Sequence, residues 1–192
     1  KSLKMAEATD VKVEETKGEQ AGPMWVTNAA DEIPIRFLEK TGPAAEEPST
    51  VIQVFKETVA RCGDKIAMES ANAQKTLTYS QYYAECRKFA ESVISLDVQP
   101  YEGVNMIGYN SMEYVIANCG AIFAQTIAAG IYTTNEPDAC HYVAEHSDAA
   151  VVVCQGLKQL NKFLAIQDRL PKLKALVMYN IEFNKADGSP ME

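Results

Sequence analysis

The sequence predicts an α/β fold: a mostly parallel sheet with flanking helices. Three observations predict it. Four apolar, strand-like runs, at 104–108, 128–132, 149–153 and 175–179, follow one another at a spacing of roughly 20 to 25 residues. Each gap between them holds a helix-length segment, and strand, helix, strand at this spacing is the βαβ unit, which requires a parallel sheet and right-handed crossovers. The composition supports a packed interior: 47% of the 192 residues are hydrophobic and 23% are charged.

Taken in order, residues 1–23 are polar and mixed in charge and read as a solvated leader without the apolar run of a secretory signal. Residues 24–27 and 33–37 read as two short strands. Ile33, Ile35 and Phe37 alternate onto one face, and Pro34 confines the second to an edge. Residues 40–48 are a linker by composition. Ser49 and Thr50 are good caps for a helix carrying Val51, Phe55 and Val59 on one side, with Gly63 as its stop. Runs at 66–69 and 76–79 around a polar connection suggest a hairpin. Ser80 is then expected to cap a helix with Tyr82, Cys86, Phe89 and Val93 on one side.

Within the βαβ region, residues 112–123 are apolar nearly all round, so that helix should be buried. The next helix, 137–145, begins with Pro137, where a missing N–H costs nothing. Leu157, Leu160 and Leu164 form a stripe on the third, which ends before Pro171. Residues 180–192 are a polar tail or an interrupted connection. No stretch reaches the roughly 18 consecutive apolar residues of a spanning helix.

The charge balance excludes one function class. With 26 acidic and 18 basic residues the net charge is -8, so non-specific wrapping of nucleic acid is ruled out and no nucleic-acid partner is expected. Five cysteines without a C-x-x-C pair argue against a disulfide framework or a zinc ribbon and favour a reducing, cytoplasmic setting.

Parallel α/β sheets bind ligands at the carboxyl ends of their strands. The first such loop, Gly108-Tyr109-Asn110-Ser111-Met112, contains a serine but lacks the second glycine of a hydrolase elbow, so Asn110 or Ser111 capping the next helix is the simpler reading. The second loop holds Thr133, Thr134 and Asn135 before a helix, where they suit either an anion or a helix cap. In the third, Lys158 and Lys162 fall one turn apart and could reach an anion or stay solvated. Neither a dinucleotide fingerprint nor a Walker loop is present. His141 and His146 lie five residues apart, which on a helix turns their rings roughly 140° from one another, so no metal ligands are expected.

The order of segments adds a resemblance. Trp25-Val26-Thr27, Leu77-Thr78-Tyr79-Ser80-Gln81-Tyr82-Tyr83 and Gly108-Tyr109-Asn110-Ser111-Met112-Glu113-Tyr114 resemble the start of AMP-forming acyl-CoA synthetases. The run from Gly130 to Cys140 (GIYTTNEPDAC) looks like the long-chain members, most like the bubblegum type, and Lys158-Gln159-Leu160 with Leu170-Pro171-Lys172-Leu173-Lys174-Ala175 is similar to the same group. The resemblance implies the N-terminal part, over residues 24–179, of the large domain of the adenylate-forming synthetases. It implies a long-chain fatty acid–CoA ligase that uses ATP, coenzyme A and Mg²⁺ on a fatty acid, completed by the remainder of the adenylation domain and a C-terminal domain.

The family's phosphate loop, its adenine and ribose contacts and its catalytic lysine have no counterpart in these residues. No catalytic residue is carried over, and the segment alone is expected to be inactive and to hold no cofactor. The resemblance places Tyr132, Thr133 and Lys158 near the nucleotide end of coenzyme A. Long-chain substrates further imply peripheral contact with a membrane such as that of the endoplasmic reticulum. The competing reading is a non-catalytic α/β module that binds a nucleotide or a partner.

Overall fold

A computed structural model of the chain describes residues 49–70 and 75–179. The leader, the strands expected at 24–27 and 33–37, the linker at 40–48, the connection at 72–74 and the polar tail lie outside the described residues.

Thr50 caps α1 (Val51–Cys62) by accepting from the Gln53 N–H at 3.1 Å. The helix buries no residue fully; Phe55 anchors it, with its ring 4.7 Å from Tyr82, 5.4 Å from Tyr83 and 5.5 Å from Phe123. Gly63 follows in right-handed geometry, so its use is steric: an added Cβ would lie 2.4 Å from Ser80 Oγ and 2.7 Å from the Val59 carbonyl oxygen. β1 (Ile66–Glu69) and β2 (Thr76–Thr78) pair antiparallel as the expected hairpin.

The cap of α2 (Tyr79–Ser95) is Thr78 rather than Ser80. Thr78 accepts from the Gln81 N–H while the Gln81 side chain accepts from the Thr78 N–H, a reciprocal capping box that starts the helix earlier. The Ser80 N–H instead donates to the Gly63 carbonyl.

The main sheet contains β3 (Gly103–Ile107), β4 (Ile127–Ile131), β5 (Ala149–Gln155) and β6 (Ala175–Tyr179), all parallel, in the order β4-β3-β5-β6. The intervening helices are α3 (Met112–Phe123), α4 (Pro137–His146) and α5 (Gly156–Leu164), the last followed by a 3-10 turn at Gln167–Arg169. Alternation along the strands divides the core. Val104, Met106, Val151 and Val153 pack with Ala90, Val93, Ala117 and Ala121 of α2 and α3. Ile107, Val152 and Cys154 pack with Cys140, Ala144 and Phe163 of α4 and α5. Small residues in α3 allow close approach: a Cβ on Gly120 would sit 2.9 Å from the Cys86 carbonyl oxygen.

Two details differ from the sequence reading. The face of α5 that meets the sheet carries Gln159 and Phe163, with Leu160 of the expected stripe packed beside them and Ile166 continuing it, whereas Leu157 and Leu164 are exposed. The helix starts at Gly156 straight from β5, and that start sets which residues turn inward. At the centre of β3, Asn105 is fully buried; its amide donates to the Ala129 carbonyl at 3.3 Å, and its oxygen accepts from Ser147 Oγ at 3.0 Å.

Candidate functional site

β3 leads to β4 on one side and β5 joins β3 on the other, so the strand order reverses direction at β3. A cleft of about 490 Å³ opens at the carboxyl ends of β3 and β4, the end of a parallel sheet where ligands bind. One wall is Gly108-Tyr109-Asn110, the other runs from Gly130 to Thr133, and Tyr114 of α3 lies between.

Each wall is held by a distant side chain. Gln155, at the end of β5, accepts from the Tyr109 N–H at 2.7 Å. Gly108 is needed because a Cβ there would meet the Tyr179 hydroxyl at 2.3 Å and Gln155 Cβ at 2.9 Å. Ser111 caps α3 by accepting from the Tyr114 N–H at 3.1 Å, which is the simpler of its two readings. The opposite wall is tied down by Lys162, whose ammonium donates to the carbonyls of Thr133 at 2.8 Å and Asn135 at 2.7 Å. Gly130 leaves room for the Tyr114 hydroxyl, which a Cβ would approach to 2.9 Å.

Of the residues singled out from sequence, Tyr132 and Thr133 line the cleft. Tyr132 is 81% exposed, as expected of a ring offered to a ligand or a further segment rather than to the core. Lys158 sits exposed in the first turn of α5 and is not among the lining residues, while its neighbour one turn on, Lys162, reaches the loop. Asn135 contributes its backbone, and α4 begins without a side-chain cap bond. His141 and His146 go to different surroundings: His141 Nε2 lies 3.2 Å from the Arg169 carbonyl oxygen, and the His146 ring stands 6.0 Å from that of Tyr142. Gln155 and Lys162 were missed as supports of the walls because their partners are 46 and 29 residues away.

Glu113 lies in the first turn of α3, next in sequence to the cleft-lining Tyr114. Partial burial works against its ionisation, but the Lys75 ammonium at 3.0 Å and further hydrogen bonds hold its carboxyl below the usual range. A carboxylate there also suits the helix N-terminus.

A family model described as AMP-binding enzyme matches residues 55–190. The chain belongs to this family. It is 42% identical over 164 residues to the long-chain-fatty-acid–CoA ligase ACSBG2 of Xenopus laevis, covering 84% of this chain and 22% of that protein. It is 38% identical over 181 residues to human ACSBG2, covering 93% of this chain and 27% of the relative. The chain therefore spans about a quarter of the length of these relatives.

Among solved structures, the anthranilate CoA ligase AuaEII in complex with anthranoyl-AMP superposes with a TM-score of 0.62 at 22% identity, over 67% of this chain and 24% of that one. A long-chain-fatty-acid CoA ligase from Rhodopseudomonas palustris, described as putative, gives 0.63 at 18% identity, over 74% and 35%. At these identities the structures show the fold: the family's N-terminal α/β layer, with its parallel sheet and flanking helices.

Proposed function

We propose that this chain, over residues 24–179, is the N-terminal portion of the adenylation domain of a long-chain fatty acid–CoA ligase. The observation that carries the reading is the 42% identity to a protein named as such a ligase, spread over 84% of the chain. The reaction has two steps. A fatty carboxylate is a poor acyl donor because its leaving group would be oxide. Attack of the carboxylate oxygen on the α-phosphorus of ATP expels pyrophosphate and gives an acyl-adenylate. Attack of the coenzyme A thiol on its carbonyl then expels AMP and leaves the thioester.

The part assigned to this chain is positioning. The wall from Tyr132 to Thr133, tied by Lys162, presents an exposed ring, a hydroxyl and backbone groups toward the cleft. These suit the nucleotide end of coenzyme A, and we assign Lys158, exposed in the first turn of α5 and outside the cleft lining, as a solvated cation for its phosphates. Among the described residues no three His, Cys, Asp or Glu side chains converge, and the Mg²⁺ that the reaction uses is assigned no residue of this segment. None of the described helices is long and apolar enough to cross a membrane; for a long-chain substrate we assign the whole enzyme a cytoplasmic location with peripheral contact at the endoplasmic reticulum membrane.

The test is an assay of the full-length protein for ATP- and coenzyme A-dependent thioester formation across acyl chain lengths. Thioester formed on long chains supports the reading; absence of both thioester and acyl-adenylate would overturn it. Within the active enzyme, Lys158→Glu is expected to raise the KM for coenzyme A while sparing adenylate formation, and an unchanged KM removes Lys158 from the site.

A further inference from the structure

The contact between α2 and α3, on the face of the sheet away from α4 and α5, holds a cluster that the proposed ligase chemistry does not use. Tyr82 Oη and Cys119 Sγ lie 2.8 Å apart. Cys86 stands one helical turn beyond Tyr82, on the buried face of α2 that packs against α3, and the Cys86 and Cys119 thiols shift each other's ionisation. The backbones are at close approach here, because Gly120, next to Cys119, rests against the Cys86 carbonyl. Cys86 is fully buried, whereas Cys119 is only half-buried.

We propose that Cys119 and Cys86 form a peroxide-responsive thiol pair, in which Cys119 is oxidised first and Cys86 resolves it into a disulfide that ties α2 to α3. In the first step the Cys119 sulfur attacks one oxygen of hydrogen peroxide. An S–O bond forms, the O–O bond breaks, and hydroxide leaves and is protonated to water. Sulfur gives up two electrons to the peroxide, leaving a sulfenic acid. In the second step the Cys86 sulfur, losing its proton, attacks Cys119; the S–S bond forms, the S–O bond breaks and a second water departs.

Three features assign the order. Access favours Cys119, since Cys86 is sealed in the core. The Tyr82 hydroxyl is placed to donate to a Cys119 thiolate. The neighbouring Cys86, against the opposing effect of burial and aided by Tyr82, lowers the Cys119 thiol from its ordinary value, while Cys119 and burial push Cys86 up. The thiols on the opposite face lack these features: Cys140 and Cys154 are both fully buried, and burial pushes Cys154 up to about 12.

The experiment treats the full-length protein with hydrogen peroxide and follows each cysteine by peptide mass spectrometry, with half-buried Cys62 as the internal reference. The expected result is a thiol-reversible linked peptide joining Cys86 to Cys119, lighter by two hydrogens, with Cys119 consumed at least about tenfold faster than Cys62. Cys86→Ser should leave Cys119 trappable by dimedone as the sulfenic acid, and Tyr82→Phe should slow its oxidation several-fold. Equal rates at Cys119 and Cys62, or no linked peptide in the wild-type protein, would overturn the proposal. The wild-type result decides it even if a variant fails to fold, and it is independent of whether the ligase reading holds.

Discussion

The two ends of the parallel sheet are built in opposite ways. At the amino end, backbone meets backbone and charges are paired across loops: a Cβ on Gly103 would lie 2.3 Å from the Ser147 carbonyl oxygen, Lys174 bridges Glu102 at 3.1 Å and also bonds the Asp97 carbonyl, and Lys172 pairs with Asp148 at 2.9 Å. At the carboxyl end, glycines keep space open, Tyr109 and Tyr132 stand 68% and 81% exposed, and the loops are braced from behind by Gln155 and Lys162. One end is closed for stability. The other keeps an open cleft on rigid supports, the arrangement expected of a binding site.

Substitutions at each end test this contrast. The largest effect is expected from Gly103→Ala, because the obstacle is main chain that cannot swing aside; a loss of about 3 kcal/mol, at the upper end of overpacking costs, should appear in chemical denaturation. A neutral result would show that the amino end is looser than described. Asn105→Ala, between the two ends, leaves the Ser147 hydroxyl and the Ala129 carbonyl without this partner and should cost roughly 2 kcal/mol in the same experiment. Tyr132→Ala, at the open end, should change stability by no more than about 0.5 kcal/mol while weakening coenzyme A binding; a large destabilisation would make Tyr132 a core residue of the whole protein instead.

The smallest effect concerns acid. Each end has a carboxylate held below its ordinary value of 4.5: Glu102 by the Gln99 N–H against a small desolvation cost and with help from Lys174, and Glu113 by Lys75 and its other hydrogen bonds against partial burial. A depressed carboxylate contributes stability that is fully present above its unfolded value and is lost as pH falls through its folded one. The pH dependence of the melting temperature should therefore steepen downward in acid. Glu113→Gln should flatten that limb without changing the slope near neutral pH.

Much of this was legible in the sequence, for reasons that particular residues make clear. The four strands and their helices follow from local apolar runs, from Pro137 and from Ser111, and Tyr132 and Thr133 fall at the cleft because strand ends determine where a parallel sheet binds. What could not be read required pairing across space. Thr78 outcompetes Ser80 as a cap because Gln81 lies three residues on. Gln159 and Phe163 turn fully inward with Leu160 packed beside them, while Leu157 and Leu164 stay exposed, a phase that only the packed helix shows. Asn105 in an apolar strand carried no signal that Ser147, 42 residues later, would satisfy it. Lys162 differs from Lys158 only by a turn of helix, and only the fold brings it to the Thr133 carbonyl.

The central claim is that the open carboxyl-end cleft receives coenzyme A. Thr133→Glu in the full-length enzyme places a negative charge on the cleft wall, facing the phosphates of that substrate. Steady-state thioester formation at varied coenzyme A should show a KM raised at least about tenfold, with acyl-adenylate formation, followed by ATP–pyrophosphate exchange, unchanged. An unaltered KM for coenzyme A, or equal loss of both half-reactions, would contradict the account.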